Sequence, residues 1–536
     1  MNKKKGLIIK YAATLAIALS CVFIRGLSWE YFVTAAAGVL LVALLTNVLC
    51  HTKMWIAYVA NSFILLLINA QYAVLFWSNT FVTPAMMNNL DSVEALGGKM
   101  LQYIISLILV LAFSLLPVDR FKLKKKHLAS AGVVCVVLYG IIFWNGMYSK
   151  EPVFALGNVL GQQLHRHRLA GEIAKMTGGE NEFFKNEITD FAAKPENLPD
   201  SPNVILIFTE GLSQHIIEDE RNIMPNARAL SEKSLVFKNY FNHTFATYMG
   251  LSGQLYSGYQ KNNYDPNHLI SVQDIFKQYG YRTTFINTEP KNPEFSDYLK
   301  DFEFDNLITD EEHLDGINGT MSDKAAYEFL MKTALEQNAE EKPFFISMYT
   351  FGTHVSFDSA YEKFGDGKDP LLNRFYDLDV QLGNFIEAFE NSPLFENTIF
   401  VFTTDHATYC DSDYSYTFPE NQPLQSALNR IPFYIYYRGV NAEEIDVNGR
   451  NSLDMAPTVL DYLDMSVENC FLGESLFSPY ENDSLFDTVF ESLGSIYDTS
   501  GGKIQNMEFE NRKNIETQIA KYLERRYQIA FTRRRI

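Results

Sequence analysis

Asn203-Val204-Ile205-Leu206-Ile207-Phe208-Thr209-Glu210-Gly211 contains five consecutive apolar residues and, two positions beyond them, a carboxylate. An unbroken apolar run of that length suits a strand buried on both faces, because a strand with one wet face would alternate. Similar runs follow at 283–287, 344–349, 398–403 and 433–437, with helical periodicity at 271–279, 323–337, 377–390 and 454–463 between or beyond them. Strands alternating with helices predict an α/β domain with a largely parallel sheet flanked by helices. In such sheets chemistry gathers beyond the carboxyl ends of the strands. The unusual polar residues fall there: Glu210 after the first run, His354 after the run at 344–349, and Asp405-His406 after the run at 398–403.

Upstream the composition changes. Apolar spans at 7–24, 31–50, 55–77, 101–118 and 128–147 each approach the ~20 residues that cross a bilayer core. A five-helix transmembrane domain is therefore expected over 1–148. Lys3, Lys4 and Lys5, then Lys53, then Arg120 with Lys122, Lys124, Lys125 and Lys126 occupy alternate connections, while the others hold Glu30, Asp91 and Glu94. Basic connections stay cytoplasmic. An odd number of spans then predicts a multi-pass cell-membrane protein whose large C-terminal domain is extracytoplasmic. Arg25-Gly26-Leu27-Ser28-Trp29 follows the first span in place of a small-residue cleavage site, so that span reads as retained.

A polar connector occupies 149–201, with helical spacing at 159–176. Its His165 and His167, two apart, point in different directions on a helix and make a poor metal pair. The catalytic domain is placed at 202–480. An extension at 481–536 ends in the basic tail Arg525-Arg526 and Arg533-Arg534-Arg535. Residues 1–150 hold 13 Lys and Arg against 4 Asp and Glu, a balance of +9, which leaves −28 on the rest of a chain whose total is −19. So acidic a domain repels phosphate backbones, which argues against nucleic acid as a partner. Five cysteines build no disulfide framework, and Cys410 with Cys470 is the one pair away from the spans.

Glu210, Asp405 and His406 offer two carboxylates and an imidazole, a donor set for a divalent cation that leaves a position open for a nucleophile or a phosphate oxygen. A threonine hydroxyl is a weak nucleophile at neutral pH unless something activates it. Thr244 and Thr247 are the candidates in the polar stretch 237–250. Singly, each residue has a plainer reading: Glu210 as a helix-start carboxylate, Asp405-His406 as a turn pair, the threonines as caps, His354 as a satisfied polar group. Their joint placement at strand ends favours a site.

Together, 203–211, Met224-Pro225-Asn226, 237–241, Thr353-His354, Phe402-Thr403-Thr404-Asp405-His406 and 454–460 resemble the sulfatase branch of the alkaline phosphatase superfamily. Within it the chain is similar to the membrane-anchored lipoteichoic acid synthase and phosphoethanolamine transferase type, which also has five spans before an external domain. The resemblance implies metal ligation by Glu210, Thr247, Asp405 and His406. It implies Thr247 as nucleophile, with Thr244 as the alternative, and His354 as a catalytic residue that contacts the substrate phosphate. The implied cofactor is a divalent metal ion, manganese or zinc, with magnesium third. The implied reaction moves phosphoglycerol or phosphoethanolamine from a phospholipid donor, through a phosphothreonine, to an envelope glycan or glycolipid acceptor. Ser257, ten residues past Thr247, matches a serine of that family. The chain also departs from the pattern. Tyr248-Met249-Gly250 stands where the synthases continue Ser-Asp, no Cys-x-Pro-x-Arg motif lies between 237 and 258, and no Trp and Arg of a glycerol-phosphate pocket occur around 316–323. Nor does the domain have the many cysteines of phosphoethanolamine transferases. A phosphodiesterase, phosphatase or sulfatase-like hydrolase of the same fold, and a non-catalytic lipid-binding scaffold, are the other readings.

Overall fold

A computed structural model describes residues 3–83, 86, 100–120, 125–173, 182–260, 269–340, 342–355, 357–479, 485–492 and 494–533. The chain divides into two units, Met1–His165 with Cys410–Gln422, and Arg166–Tyr409 with Pro423–Ile536.

The first unit contains α1 (Lys3–Phe23), α2 (Glu30–Leu49), α3 (Met54–Ser78), α4 (Met100–Ser114), α5 (Lys125–Trp144) and the start of α6 (Pro152–Ile173). Among the described residues α1, α2, α3 and 127–144 of α5 are long and apolar enough to cross a membrane. The span expected at 101–118 appears as α4, whose 15 residues reach about 22 Å against the ~30 Å of a bilayer core. Pro117 stops it on one side, and 87–99, with Asp91 and Glu94, lie outside the described residues, as do 121–124 with Lys122 and Lys124. Lipid gives apolar side chains no reason to prefer one another, so membrane helices associate through small residues and polar pairs. Ala18, Ala35 and Ala57 are fully buried in this unit's core. Asn61 Nδ2 donates to Tyr11 Oη and Thr46 Oγ1, both at 2.8 Å, Asn69 Nδ2 to Ser114 Oγ at 2.9 Å, and Lys10 Nζ to Ser62 Oγ at 3.0 Å.

In the second unit the expected runs appear as β1 (Asn203–Thr209), β3 (Arg282–Ile286), β5 (Phe344–Tyr349), β6 (Thr398–Thr404) and β7 (Tyr434–Tyr436). Short β2 (Leu235–Lys238), β4 (Asn306–Ile308) and β8 (Glu443–Asp446) complete a sheet of order β4-β3-β5-β1-β6-β7-β2-β8. It is parallel except at β7, which runs antiparallel to β6 and β2. β1 is central, with β5 on one side and β6 on the other, both parallel to it. The chain passes from β1 to β2 on one side of it and then back to β3 on the other, and the carboxyl end of β1 is where a sheet with such a reversal opens a crevice. The helix expected at 377–390 begins instead at Pro370, because Asp369 caps the N–H groups of Leu371 and Leu372 and proline suits the first helical position. Beyond the main sheet, β9 (Val489–Ser492), β10 (Ser495–Asp498) and β11 (Gln505–Asn506) form a small antiparallel sheet. The closing helix, Phe509–Arg533, buries Ile515, Ile519 and Tyr522 in the core shared with Val204, Leu206 and Phe208. No disulfide joins Cys410 to Cys470. The side chains of His165, His167 and Arg526 and the tail residues Arg534 and Arg535 lie outside the description.

Candidate metal centre and active site

Glu210 leaves the end of β1 and Asp405-His406 the end of β6, so the pairing of these two strands brings all three side chains together. One ligand atom from each lies within 4.8 Å of the others, and all three residues are buried. His406 Nε2 is 3.5 Å from Glu210 Oε1 and 3.4 Å from Asp405 Oδ2. The ring is held by Nδ1, which lies 2.7 Å from the Ala407 carbonyl oxygen. Nδ1 therefore carries the proton that it donates there, and Nε2 turns its lone pair to the carboxylates. Asp405 uses Oδ1 to accept from the Gly211 N–H at 2.8 Å and the His406 N–H at 2.7 Å. Its buried Oδ2 has no hydrogen-bond partner. An orphaned carboxylate oxygen, a second carboxylate and an oriented imidazole fit a divalent cation.

The titration of the cluster supports that fit. Burial disfavours the Glu210 carboxylate, but His406, His354 and hydrogen bonds from Tyr349 and Thr247 outweigh it and hold its pKa below the usual value. Burial disfavours imidazolium at His406, yet Asp405 and Glu210 raise its pKa. Burial pushes Asp405 up to about 7, with His406 opposing and Glu210 adding to the shift. A cation must displace that proton. Its apparent affinity is therefore expected to fall about tenfold per pH unit below about 7 and to flatten above it, measurable by equilibrium dialysis. The sign for folding is the reverse in chelator-treated protein. The raised pKa contributes stability that is fully present below the unfolded value, 3.8, and is lost as pH rises through about 7.

Thr247 opens α7 (Thr247–Tyr256) and donates from Oγ1 to Glu210 Oε2 at 3.1 Å. The positive end of the helix dipole favours an alkoxide there. α7 comes this close because Gly250 faces the Asp405 backbone, where an added Cβ would lie 2.2 Å from the carbonyl oxygen. Gly250→Ala is expected to cost about 3 kcal/mol of stability, read from denaturant unfolding, and to weaken metal binding with it. Thr244 is buried, and its carbonyl oxygen accepts from Asn242 Nδ2 at 2.7 Å. Ser257, in the left-handed region that ends α7, donates to the Leu453 carbonyl oxygen at 2.7 Å and accepts from the Gly473 N–H at 3.0 Å, a structural role.

His354 follows β5 and is half-buried. Its Nδ1 is 3.0 Å from the Val355 carbonyl oxygen and its ring stacks on Phe351 with centroids 4.8 Å apart, leaving Nε2 as the exchangeable position. Burial lowers its pKa, while the charge of Glu210 acts the other way. Two residues escaped the sequence reading. Tyr349, the last residue of β5, donates its hydroxyl to Glu210 Oε2, and Glu289, beyond β3, is pushed up to about 8 by burial together with the charges of Glu210 and Asp405. The place of Glu289 past the carboxyl end of β3 is the available signal, whereas Tyr349, the last of an apolar run, carries none.

Residues 202–465 match the Sulfatase family model. The lipoteichoic acid synthase-like protein YvgJ of Bacillus subtilis is 23% identical over 302 residues, 49% of this chain and 47% of that protein, so the chain spans about half the length of this relative. Among solved structures, the lipoteichoic acid synthase LtaP of Listeria monocytogenes aligns with a TM-score of 0.50 at 16% identity, over 68% of this chain and 98% of that one. The integral membrane lipooligosaccharide phosphoethanolamine transferase A (EptA) of Neisseria meningitidis aligns with a TM-score of 0.52 at 15% identity, over 86% and 95%. Such identities speak for fold. Residues 202–465 are thus a sulfatase-family domain with the fold of the alkaline phosphatase superfamily, carried behind a group of apolar helices.

Proposed function

We propose that the protein is a membrane phosphotransferase that takes phosphoglycerol or phosphoethanolamine from a phospholipid and passes it to a glycan or glycolipid of the cell envelope. The observation that carries this reading is the seat of Thr247, a hydroxyl 3.1 Å from a carboxylate of the buried cluster Glu210, Asp405 and His406. Glu210, Asp405 and His406, with Thr247 Oγ1 as fourth, would hold the cation. When bound, it supplies charge neutralisation for the phosphoryl oxygens and a lowered pKa for a coordinated hydroxyl.

The chain's own residues do the rest. Thr247 Oγ1 points its proton at Glu210 Oε2 and its lone pairs away, ready to bond to phosphorus, and the N-terminus of α7 favours its anionic form. Thr247 enters the step as the anion, its proton released by way of Glu210 Oε2 to solvent; as the Oγ–P bond forms, the P–O bond to diacylglycerol breaks, and protonated His354 gives the leaving oxygen a proton from Nε2. His354, then neutral, takes the proton of the acceptor hydroxyl, whose oxygen bonds to phosphorus as the phosphothreonine bond breaks. The Val355 carbonyl and the stack on Phe351 keep Nε2 aimed through both steps. We place this domain outside the cytoplasm, where both lipid donor and glycan acceptor are met, on the segregation of Lys and Arg. The names of YvgJ, LtaP and EptA support the reaction class.

Incubating full-length protein with phosphatidylglycerol or phosphatidylethanolamine vesicles tests the proposal. Diacylglycerol release is expected to accelerate when a glycan acceptor is added, because a second nucleophile relieves the covalent intermediate. Equal rates with every acceptor, and free glycerol phosphate or phosphoethanolamine as product, would make the protein a hydrolase.

A further inference from the structure

Four residues past His406 the chain leaves the second unit at Cys410, and it returns at Pro423. β6 and β7 are antiparallel neighbours, which a short turn would join. The sheet does not need the detour. Within the first unit, Cys410–Gln422 instead completes the end of α3.

The last carbonyls of a helix have no partner in their own helix, and at a lipid boundary they must find one. Asn79, with φ 56°, closes α3 by an N–H bond to the Leu75 carbonyl oxygen at 3.0 Å. Arg25 Nε donates to the Phe76 carbonyl oxygen at 2.8 Å, and Ser412 Oγ to that of Trp77 at 3.0 Å. Asn79 Nδ2 in return donates to the Asp411 carbonyl oxygen at 2.9 Å and to Ser415 Oγ. Asp411 caps α8 (Ser412–Thr417), its carboxylate accepting from the N–H groups of Asp413 at 3.0 Å and Tyr414 at 2.9 Å. One turn of structure is thus made from residues more than 330 positions apart. On α8 Tyr414 is fully buried and Tyr416 is 86% exposed, the disposition of an aromatic that anchors at a membrane–water boundary.

We infer that Cys410–Gln422, the segment that follows the strand end bearing Asp405-His406, is a tether held on α3 by Asn79 and Ser412 as positioning residues. It serves the capture of a phosphodiester embedded in a bilayer and leaves the chemistry alone. The inference rests on the transferase reading above for its substrate, and on the cap of α3 for its structure.

The test uses full-length protein, comparing diacylglycerol release from phosphatidylethanolamine–phosphatidylglycerol vesicles with hydrolysis of the soluble diester bis-p-nitrophenyl phosphate. Asn79→Leu removes both donations of the side chain. It is expected to lower kcat/KM on vesicles about tenfold, carried by KM, while the soluble substrate stays within about twofold and metal content is unchanged. Equal losses on both substrates, or none on either, overturn the tether. Tyr416→Ala, exposed and without consequence for the fold, is expected to show the same split, and its absence there also counts against the tether. Amide hydrogen exchange over 407–418 is read in parallel and should rise at least about fivefold in Asn79→Leu. If wild type turns over neither substrate, the transferase reading fails and the exchange decides alone: unchanged exchange overturns the tether, faster exchange upholds it.

Discussion

Asp405→Asn is expected to strip the bound metal and to lower turnover by at least about 100-fold, while the domain stays folded. The two oxygens of Asp405 have separate duties. Oδ1 accepts from the N–H groups of Gly211 and His406, and asparagine keeps that oxygen. Oδ2 is the orphan, and asparagine replaces it with an amide nitrogen whose hydrogens would meet the cation. The stability consequence has the opposite sign to that of an ordinary core lesion. With its pKa near 7, Asp405 is ionised at pH 8 and buried beside a second carboxylate, Glu210, so removing its charge relieves repulsion in the metal-free protein. Chelated Asp405→Asn should therefore melt above chelated wild type at pH 8, and added metal should raise the melting temperature of wild type alone. Full metal content in the variant, by elemental analysis, would show that the cluster is not the metal site.

The centre of the sheet and the cluster of Glu210, Asp405 and His406 are legible in the sequence because both depend on local rules. β1, β5 and β6 are buried on both faces, so their apolar runs stand out, and Glu210, His354, Asp405 and His406 follow the ends of those runs directly. β4 is short and half-buried and β8 is short and mostly exposed, so no pattern distinguishes them from loops. Tyr349 is indistinguishable in sequence from the apolar residues before it; only the pairing of β1 with β5 aims its hydroxyl at Glu210. α4 is shorter than the apolar stretch that encodes it, because composition continues apolar through Leu115 and Leu116, whereas the helix ends at Ser114 ahead of Pro117. The membership of Cys410–Gln422 in the first unit has no local signal at all, because it depends on partners in α3 that only folding brings near.

Thr247→Ala should abolish both the covalent adduct and diacylglycerol release, a loss of at least about 1,000-fold, whereas Thr244→Ala should keep a measurable fraction of each. The two hydroxyls are three residues apart in sequence but differ in what surrounds them. Thr247 stands on the first turn of α7 with its Oγ1 on Glu210 Oε2, so its oxygen shares the cluster that would hold the cation. Thr244 precedes the helix, is 2% exposed, and lies in a stretch fixed by Asn242, which donates to the carbonyl oxygens of Thr244 and Ala427. Its removal disturbs packing and leaves the Thr247 hydroxyl in place. Thr247→Ser restores a hydroxyl at the same site and should recover adduct formation, which separates loss of the nucleophile from loss of a methyl group. Intact-mass spectrometry after exposure to each lipid reads the outcome, since phosphoglycerol and phosphoethanolamine add different masses. An adduct that persists in Thr247→Ala and vanishes in Thr244→Ala would move the attack upstream, and the hydrogen bond to Glu210 would then be a cap on α7 with no part in the chemistry.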